Sequence, residues 1–283
     1  MLLGTLEQSF IFAIMVLGVY LSYKILDFPD MTVDGSFPLG GAVASAILIK
    51  GGNPISALVV ATICGAIAGL ITGMIHVKLK VTNLLAGIIV MTGLYSVNLR
   101  IMGKSNIPLF SVKHLFNGNM IPIFTLVILL ILAKITIDYL LKTKFGFALK
   151  ALGDNETLVI SLGIDEKKLK IYGLMIANSF VALSGAILAQ YQGFADVGMG
   201  TGTIITGLAS IIIGEAIFKK RSFISMSMTV ILGTIIYRTI IAMSLKLGMN
   251  ASDLKLITSI LVVGIIFLKE KKSLLGRGGK KYA

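Results

Sequence analysis

Apolar segments of bilayer length recur along this chain and leave it few folds to choose from. Gln8–Leu26, Ile55–Val77, Thr82–Met102, Met120–Leu141, Ile171–Gln190, Gly202–Phe218, Phe223–Leu245 and Leu254–Leu268 each approach or reach the ~20 residues that cross a hydrocarbon core about 30 Å thick. A shorter ninth segment, Phe37–Ile49, lies between the first two. In lipid every backbone N–H and C=O must be satisfied within the chain, which permits helices and closed barrels only. Runs this long and this apolar fit helices. Charged residues make up 14% of the 283 positions and hydrophobic ones 56%, against about a quarter charged in a soluble domain. The expected fold is an all-α polytopic membrane protein with about 8–9 transmembrane helices, in which residues 1–283 form one membrane domain.

The net charge of +13 does not point to nucleic acid, because the basic residues are mostly confined to short breaks between apolar runs. Lysine and arginine gather in that way on the cytoplasmic side of membrane proteins. Four basic stretches stand two spans apart: Lys78 and Lys80; the loop 142–170; Lys219, Lys220 and Arg221; and the tail 269–283. All four can therefore face the cytoplasm. The loop Gly103–Asn119 then falls outside despite Lys104 and Lys113. If Phe37–Ile49 crosses, there are nine spans and the N-terminus is outside; if it re-enters, there are eight and the N-terminus is inside. Met1–Ser9 has no basic residue and carries Glu7, so the first segment is expected to remain as a span rather than be cleaved as a signal peptide.

Between the first apolar runs the chain reads Asp27-Phe-Pro-Asp-Met-Thr-Val-Asp-Gly-Ser-Phe-Pro-Leu-Gly-Gly. Pro29 and Pro38 remove backbone donors, and Gly35, Gly40 and Gly41 permit close approach. One reading is an extramembrane loop with acidic residues. The other is a broken or re-entrant helix near residues 27–50, whose freed polar groups line a wet cavity and meet a polar solute. On that reading Asp27, Asp30, Asp34, Gly35 and Ser36 are substrate-pathway candidates. Asn98 and Asn178, polar positions within or ending spans, join them. Asn178 is expected mainly to hold helices together, and Glu215 to pair with Lys219 one turn on. Gln190, Tyr191 and Gln192 are placed at the outer mouth. Gly65, Gly69 and Gly73 put glycine on one helix face, the close-packing pattern of membrane helices. The stretches Gly65–Ile75 and Gly207–Ile217, each followed by a basic turn and a further span, hint at an internal repeat.

The other interruption, Thr143–Lys170, is longer than a connection needs to be. It carries charge of both signs and apolar residues at helical spacing: Leu149, Leu152, Leu158, Ile160, Leu162 and Ile164. Such a pattern describes a short amphipathic helix outside the bilayer, lying on the headgroups or presenting a face to a protein partner.

Several chemistries are missing. There is no phosphate-binding Gly-x-x-x-x-Gly-Lys-Ser/Thr, no Gly-x-Ser-x-Gly and no His-Glu-x-x-His. Cys64 stands alone and His76 and His114 are far apart, so neither a disulfide nor a metal site is expected, nor any cofactor. An enzyme is not expected.

The run from Gly146 to Lys170, with its Gly-Asp-Asn-Glu and Leu-Gly-Ile-Asp elements, is followed by Ala182-Leu-Ser-Gly-Ala-Ile-Leu-Ala. Together they resemble the permease subunits of bacterial ABC importers for branched-chain amino acids and ribose. The Asp27–Gly40 segment is most similar to the subgroup associated with aromatic amino-acid uptake, tryptophan or tyrosine. The resemblance implies a multi-pass protein of the bacterial cytoplasmic membrane that passes an amino acid or similar small polar solute. It also implies separate ATPase subunits, an extracytoplasmic solute-binding protein and a second permease copy, all in membrane lipid. Asp154–Ile164 would be the coupling helix, with Gly153, Asp154, Asn155, Glu156, Leu158, Leu162, Gly163 and Ile164 at the ATPase. Lys150 stands where arginine is more usual and lacks its bidentate fork. Two rival classes remain: an ion-coupled secondary transporter using Asp27, Asp30, Asp34 or Glu215 as relay carboxylates, and a non-transporting membrane scaffold.

Overall fold

A computed structural model describes residues 2–117, 121–218 and 225–249, with a few positions beyond, at 253, 256, 258–260 and 263–264. The chain is all-α apart from one two-stranded ribbon. Its helices are α1 (Leu2–Tyr20, continued by a π-helical turn Leu21–Ile25), α2 (Val33–Ile49), α3 (Pro54–Leu79), α4 (Asn83–Met102), α5 (Pro122–Lys142), α6 (Lys144–Asp154), α7 (Glu156–Ser161), α8 (Glu166–Gln192), α9 (Thr203–Phe218) and α10 (Met226–Lys246). Strand β1 (Asn106–Pro108) pairs antiparallel with β2 (Phe194–Asp196), and a 3₁₀ turn, Val197–Gly200, follows β2. Seven of the described segments are long and apolar enough to cross a membrane, and α2 is a shorter apolar helix. The expected Leu254–Leu268 span, the Lys219–Arg221 turn and the tail 269–283 lie largely or wholly outside the described residues.

Local sequence sets most boundaries. Asn53 accepts from the N–H of Ile55 ahead of Pro54, the proline that opens α3. Thr143, Asn155, Asp165 and Ser225 cap α6, α7, α8 and α10 in the same way. Gly193, at φ 76°, ends α8 in the left-handed region that glycine enters without penalty.

The bundle has two distinct ends. At one, the ribbon and the start of α1 meet the end of α8: Tyr191 donates to Glu7 across 2.7 Å. At the other, α6 and α7 pack beneath α1 and α8. The chain between Leu26 and Ile49 runs from one end to the other. Leu26 touches Gly173 near the start of α8, and Phe28 stacks edge-on against His76 in the last turn of α3. The chain after α2 returns beside Pro54, whose carbonyl accepts from Gln190 across 3.4 Å near the end of α8. Residues 26–49 thus cross rather than re-enter, with an irregular start over 26–32 followed by the helix α2. The N-terminus accordingly sits at the ribbon end.

Close helix approach holds the centre. A Cβ on Gly65 or Gly69 would overlap the α8 carbonyls of Asn178 and Leu174, and one on Gly73 would press on Ile171. The glycine face of α3 is therefore the seat of α8, as the spacing suggests. Further along the same face of α8, Gly40 and Gly185 let α2 come equally near, against Ala182 and Phe37. Both halves of the suggested repeat descend toward the α6–α7 end, but Gly65 packs on α8 while Gly207 packs on Val19 of α1.

Candidate functional site

Two broken segments meet at the centre of the bundle. Residues 26–32 reach it from the α6–α7 end and start α2; residues 193–202 reach it from the ribbon end and start α9. Pro38 lacks the N–H that would bond the carbonyl of Asp34, four residues earlier. The 3₁₀ turn packs into that notch, where a Cβ on Gly200 would overlap the Asp34 oxygen and press on Pro38. The Asp34 side chain then caps α9. Oδ2 accepts from the N–H of Gly202 at 2.8 Å, and Oδ1 accepts from Thr203 Oγ1 at 2.9 Å and the N–H of Ile204 at 2.8 Å. A carboxylate on orphan N–H groups at a helix start is stabilised by hydrogen bonding and by the helix dipole together.

Asp30 and Ser36 form a second knot around Asn178. Asn178 Nδ2 donates to Asp30 at 2.7 Å, and Ser36 Oγ donates to Asn178 Oδ1 at 2.7 Å. Asp30 also accepts from the N–H of Thr32 at 2.9 Å, while Thr32 and Thr72 share a 2.7 Å hydroxyl contact that ties in α3. All five side chains are buried, so each must find its partner inside the protein. Asn178 is thus the adhesive between helices that its position suggests.

Asn98 completes the group from α4. Its Nδ2 donates to the carbonyl of Gly35 at 3.2 Å, but its buried Oδ1 has no hydrogen-bond partner. Beside it opens a cavity of about 340 Å³ between α2, α4 and the 3₁₀ turn. Of the seven substrate-pathway candidates, six are gathered here. Asp27 is not: it lies exposed at the α6–α7 end, at φ 51°, beyond the buried segment.

The interruption 144–165 is two helices, not one. Asn155 leaves helical geometry, and its side chain accepts from the N–H of Leu158 at 3.1 Å, restarting the chain as α7. The apolar residues that share a helical spacing consequently divide. Leu149 and Leu152 are buried on α6, while Leu158, Ile160, Leu162 and Ile164 are exposed. Val159, fully buried, is the anchor of α7. Gly153 sits so close to the π-helical turn that a Cβ would overlap the Ile25 carbonyl. Glu156 pairs with Lys170 of α8 at 2.7 Å, and Gly163, at φ 73°, turns the chain toward α8. The N–H groups of Lys168 and Lys167 hold the Asp165 carboxyl below its usual pKa. Lys150 donates to the Leu141 carbonyl at 3.2 Å.

From this loop a contact path leads inward. The π-helical turn that receives Gly153 also carries Lys24, which pairs with Glu215 of α9 at 3.0 Å. The other end of α9 is the one capped by Asp34. Glu215 therefore has a long-range partner where a local one, Lys219, was expected; Lys219 lies outside the described residues. Gln190 and Tyr191 bond to Leu115, Pro54 and Glu7, so they stitch the ribbon end together. Asp138 and Arg238 are among the charged groups in the spans that the sequence reading passed over. Asp138 on α5 binds Lys134 and Ser227, and the Arg238 guanidinium of α10 lies 3.5 Å from the ring centroid of Phe12. The lysine four residues before Asp138 was the available signal for the first. For the second it was an arginine inside an apolar run.

Residues 1–269 match the family described as the permease component of branched-chain amino acid transport systems. The chain is 50% identical over 265 residues to a tyrosine transport system permease protein of Clostridioides difficile, covering 94% of this chain and 90% of the relative. It is 27% identical to a probable branched-chain amino acid transport permease protein of Methanocaldococcus jannaschii, over 71% of this chain and 69% of the relative. It is 28% identical to a ribose import permease protein of Escherichia coli, over 75% and 68%. No solved structure matches the chain.

Proposed function

This chain belongs to the family of permease components of branched-chain amino acid transport systems, and from that membership we propose that it carries an aromatic amino acid, tyrosine first, into the cell under ATP control. The 50%-identical relative is named for tyrosine transport. Two copies form the passage, two ATPase subunits sit at the α6–α7 end, and a solute-binding protein delivers at the ribbon end. The α6–α7 end is then cytoplasmic, in keeping with Lys78, Lys80 and Lys142–Lys170.

The observation that carries the reading is the inverted chemistry of the loop: Leu158, Ile160, Leu162 and Ile164 are exposed on a rigidly anchored two-helix unit. Contiguous apolar groups facing water beside charged flanks fit a protein partner. ATP binding closes the ATPases and displaces α6 and α7. Gly153 passes the displacement to the π-helical turn, Lys24–Glu215 passes it to α9, and α9 moves at its Asp34 cap. The ATPases bias the passage only to the extent that they bind one state more tightly than the other.

Reconstitution into vesicles with the neighbouring ATPase and binding protein tests this directly. Tyrosine uptake should require ATP and all three components. Uptake by this chain alone, driven by a proton or sodium gradient, would put the secondary-transporter reading in its place.

A further inference from the structure

The cavity beside Asn98 has the makings of a solute site, and this inference rests on the permease reading above. Its walls include Asp34, Pro38, Met91, Tyr95, Asn98 and Thr201. A volume of about 340 Å³ lies at the lower end of the roughly 300–1,000 Å³ of small-ligand sites. Mostly apolar walls with a few placed polar groups are also their usual composition.

The polar groups are unevenly spent. Asp34, which uses both oxygens on the start of α9, also lines the cavity. Asn98 is fully buried, its amide nitrogen fixed on Gly35, and its Oδ1 left without a donor. An unpaired buried acceptor is destabilising, and a donor reaching it from the cavity would satisfy it. Near it, the hydroxyls of Tyr95 and Thr201 form no side-chain hydrogen bond among the described residues, and both residues are exposed. The cavity opens along the exposed face of α4, where Thr92 and Tyr95 stand.

We infer that this cavity is a transit site for a zwitterionic α-amino acid with an apolar or aromatic side chain. The solute ammonium donates to Asn98 Oδ1 in the field of Asp34, the carboxylate accepts from the Tyr95 or Thr201 hydroxyl, and the side chain lies against Met91 and Pro38. Asn98 is on this account a specificity-determining residue of the permease itself, acting after the binding protein has released its cargo. Binding is weak, because only one group is pre-paid and the cavity is open.

The test uses the full complex in vesicles, with Thr92→Cys at the mouth and Cys64→Ala removing the native thiol. The rate of maleimide labelling at position 92 is followed with millimolar tyrosine, and separately with 3-(4-hydroxyphenyl)propionate, which lacks the ammonium group. Tyrosine should slow labelling at least threefold, the deaminated acid should not, and Asn98→Leu should abolish the protection. Equal labelling in all arms overturns the site. Protection by both compounds, or protection that survives Asn98→Leu, overturns the assignment to Asn98. Asn98→Asp, which keeps an acceptor, should keep protection and serves as the check should the leucine variant fail to assemble. ATP-dependent tyrosine uptake is measured on the same vesicles. If uptake is absent in the otherwise unaltered complex, the permease reading fails instead, whatever the labelling shows.

Discussion

The two places where this chain departs from plain membrane helix do so with opposite chemistry. At the centre, Asp30, Asn98 and Asn178 are buried and Asp34 is half-buried, and almost every polar atom has a partner. At the α6–α7 end, Leu158, Ile160, Leu162 and Ile164 are exposed, and the polar residues cap and brace the backbone behind them. The first arrangement holds two broken helices in one geometry. The second leaves apolar area uncovered, which stabilises nothing until something binds. Polar pairing is thus concentrated at the centre and exposed apolar area at the edge, with Gly153, the π-helical turn and Lys24–Glu215 between them.

That contrast is broken most sharply at Asp34. Replacing it by Ala removes three hydrogen bonds to a carboxylate, each worth about 1.5–3 kcal/mol though not additively. A loss of roughly 3–5 kcal/mol is expected, seen as a large fall in the thermal midpoint of the detergent-solubilised protein; a shift within error would mean that the cap is not structural. Gly185→Ala comes next. Its methyl would meet the Phe37 carbonyl, and overpacking of this kind costs about 1–3 kcal/mol. Lys24→Met should cost less than the roughly 3–5 kcal/mol of a fully buried pair that loses one partner, because Lys24 is partly exposed and solvent screens its charge. Its value lies in a second readout: ATP hydrolysis continues while uptake falls several-fold. Parallel losses of both would remove the pair from the transmission path.

The smallest effect is a pH dependence at the loop. Asp165 has a depressed pKa in the folded protein, so its capping contribution is complete above the ordinary aspartate value of about 3.9 and is lost only as pH falls below it. The Lys167 and Lys168 amides should stay protected from hydrogen exchange from pH 7 to about 4, after correction for the intrinsic rate. Deprotection already near pH 6 would contradict the cap.

Local and periodic information carried much of this into the sequence. The glycines of α3, spaced by four, announce a close neighbour, and α8 is there. Asn178 announces a hydrogen bond across helices and makes two. The identity of distant partners was not legible. Nothing near Asp34 indicates that its partners are Gly202, Thr203 and Ile204, and nothing near Glu215 in sequence names Lys24 as a partner. Such pairings are set by packing of the whole bundle, and local spacing cannot choose between them. At the loop the spacing itself misled: Leu149 and Ile160 fit one helical face, but Asn155 is a capping residue that ends one helix and begins another. The residues expected at the ATPase nevertheless lie together on that two-helix unit, with Gly153 turned to the bundle and Leu158, Leu162 and Ile164 to water.

The most direct measurement is co-purification of the ATPase with the intact chain and with the double variant Leu158→Ser, Leu162→Ser. Both side chains are about half or more exposed, so thermal stability should change by no more than about 0.5 kcal/mol. The ATPase should come down with the unaltered chain and be lost, by tenfold or more, with the variant. Undiminished co-purification with a folded double variant would contradict the account, because the exposed apolar face would then have no part in holding the ATPase.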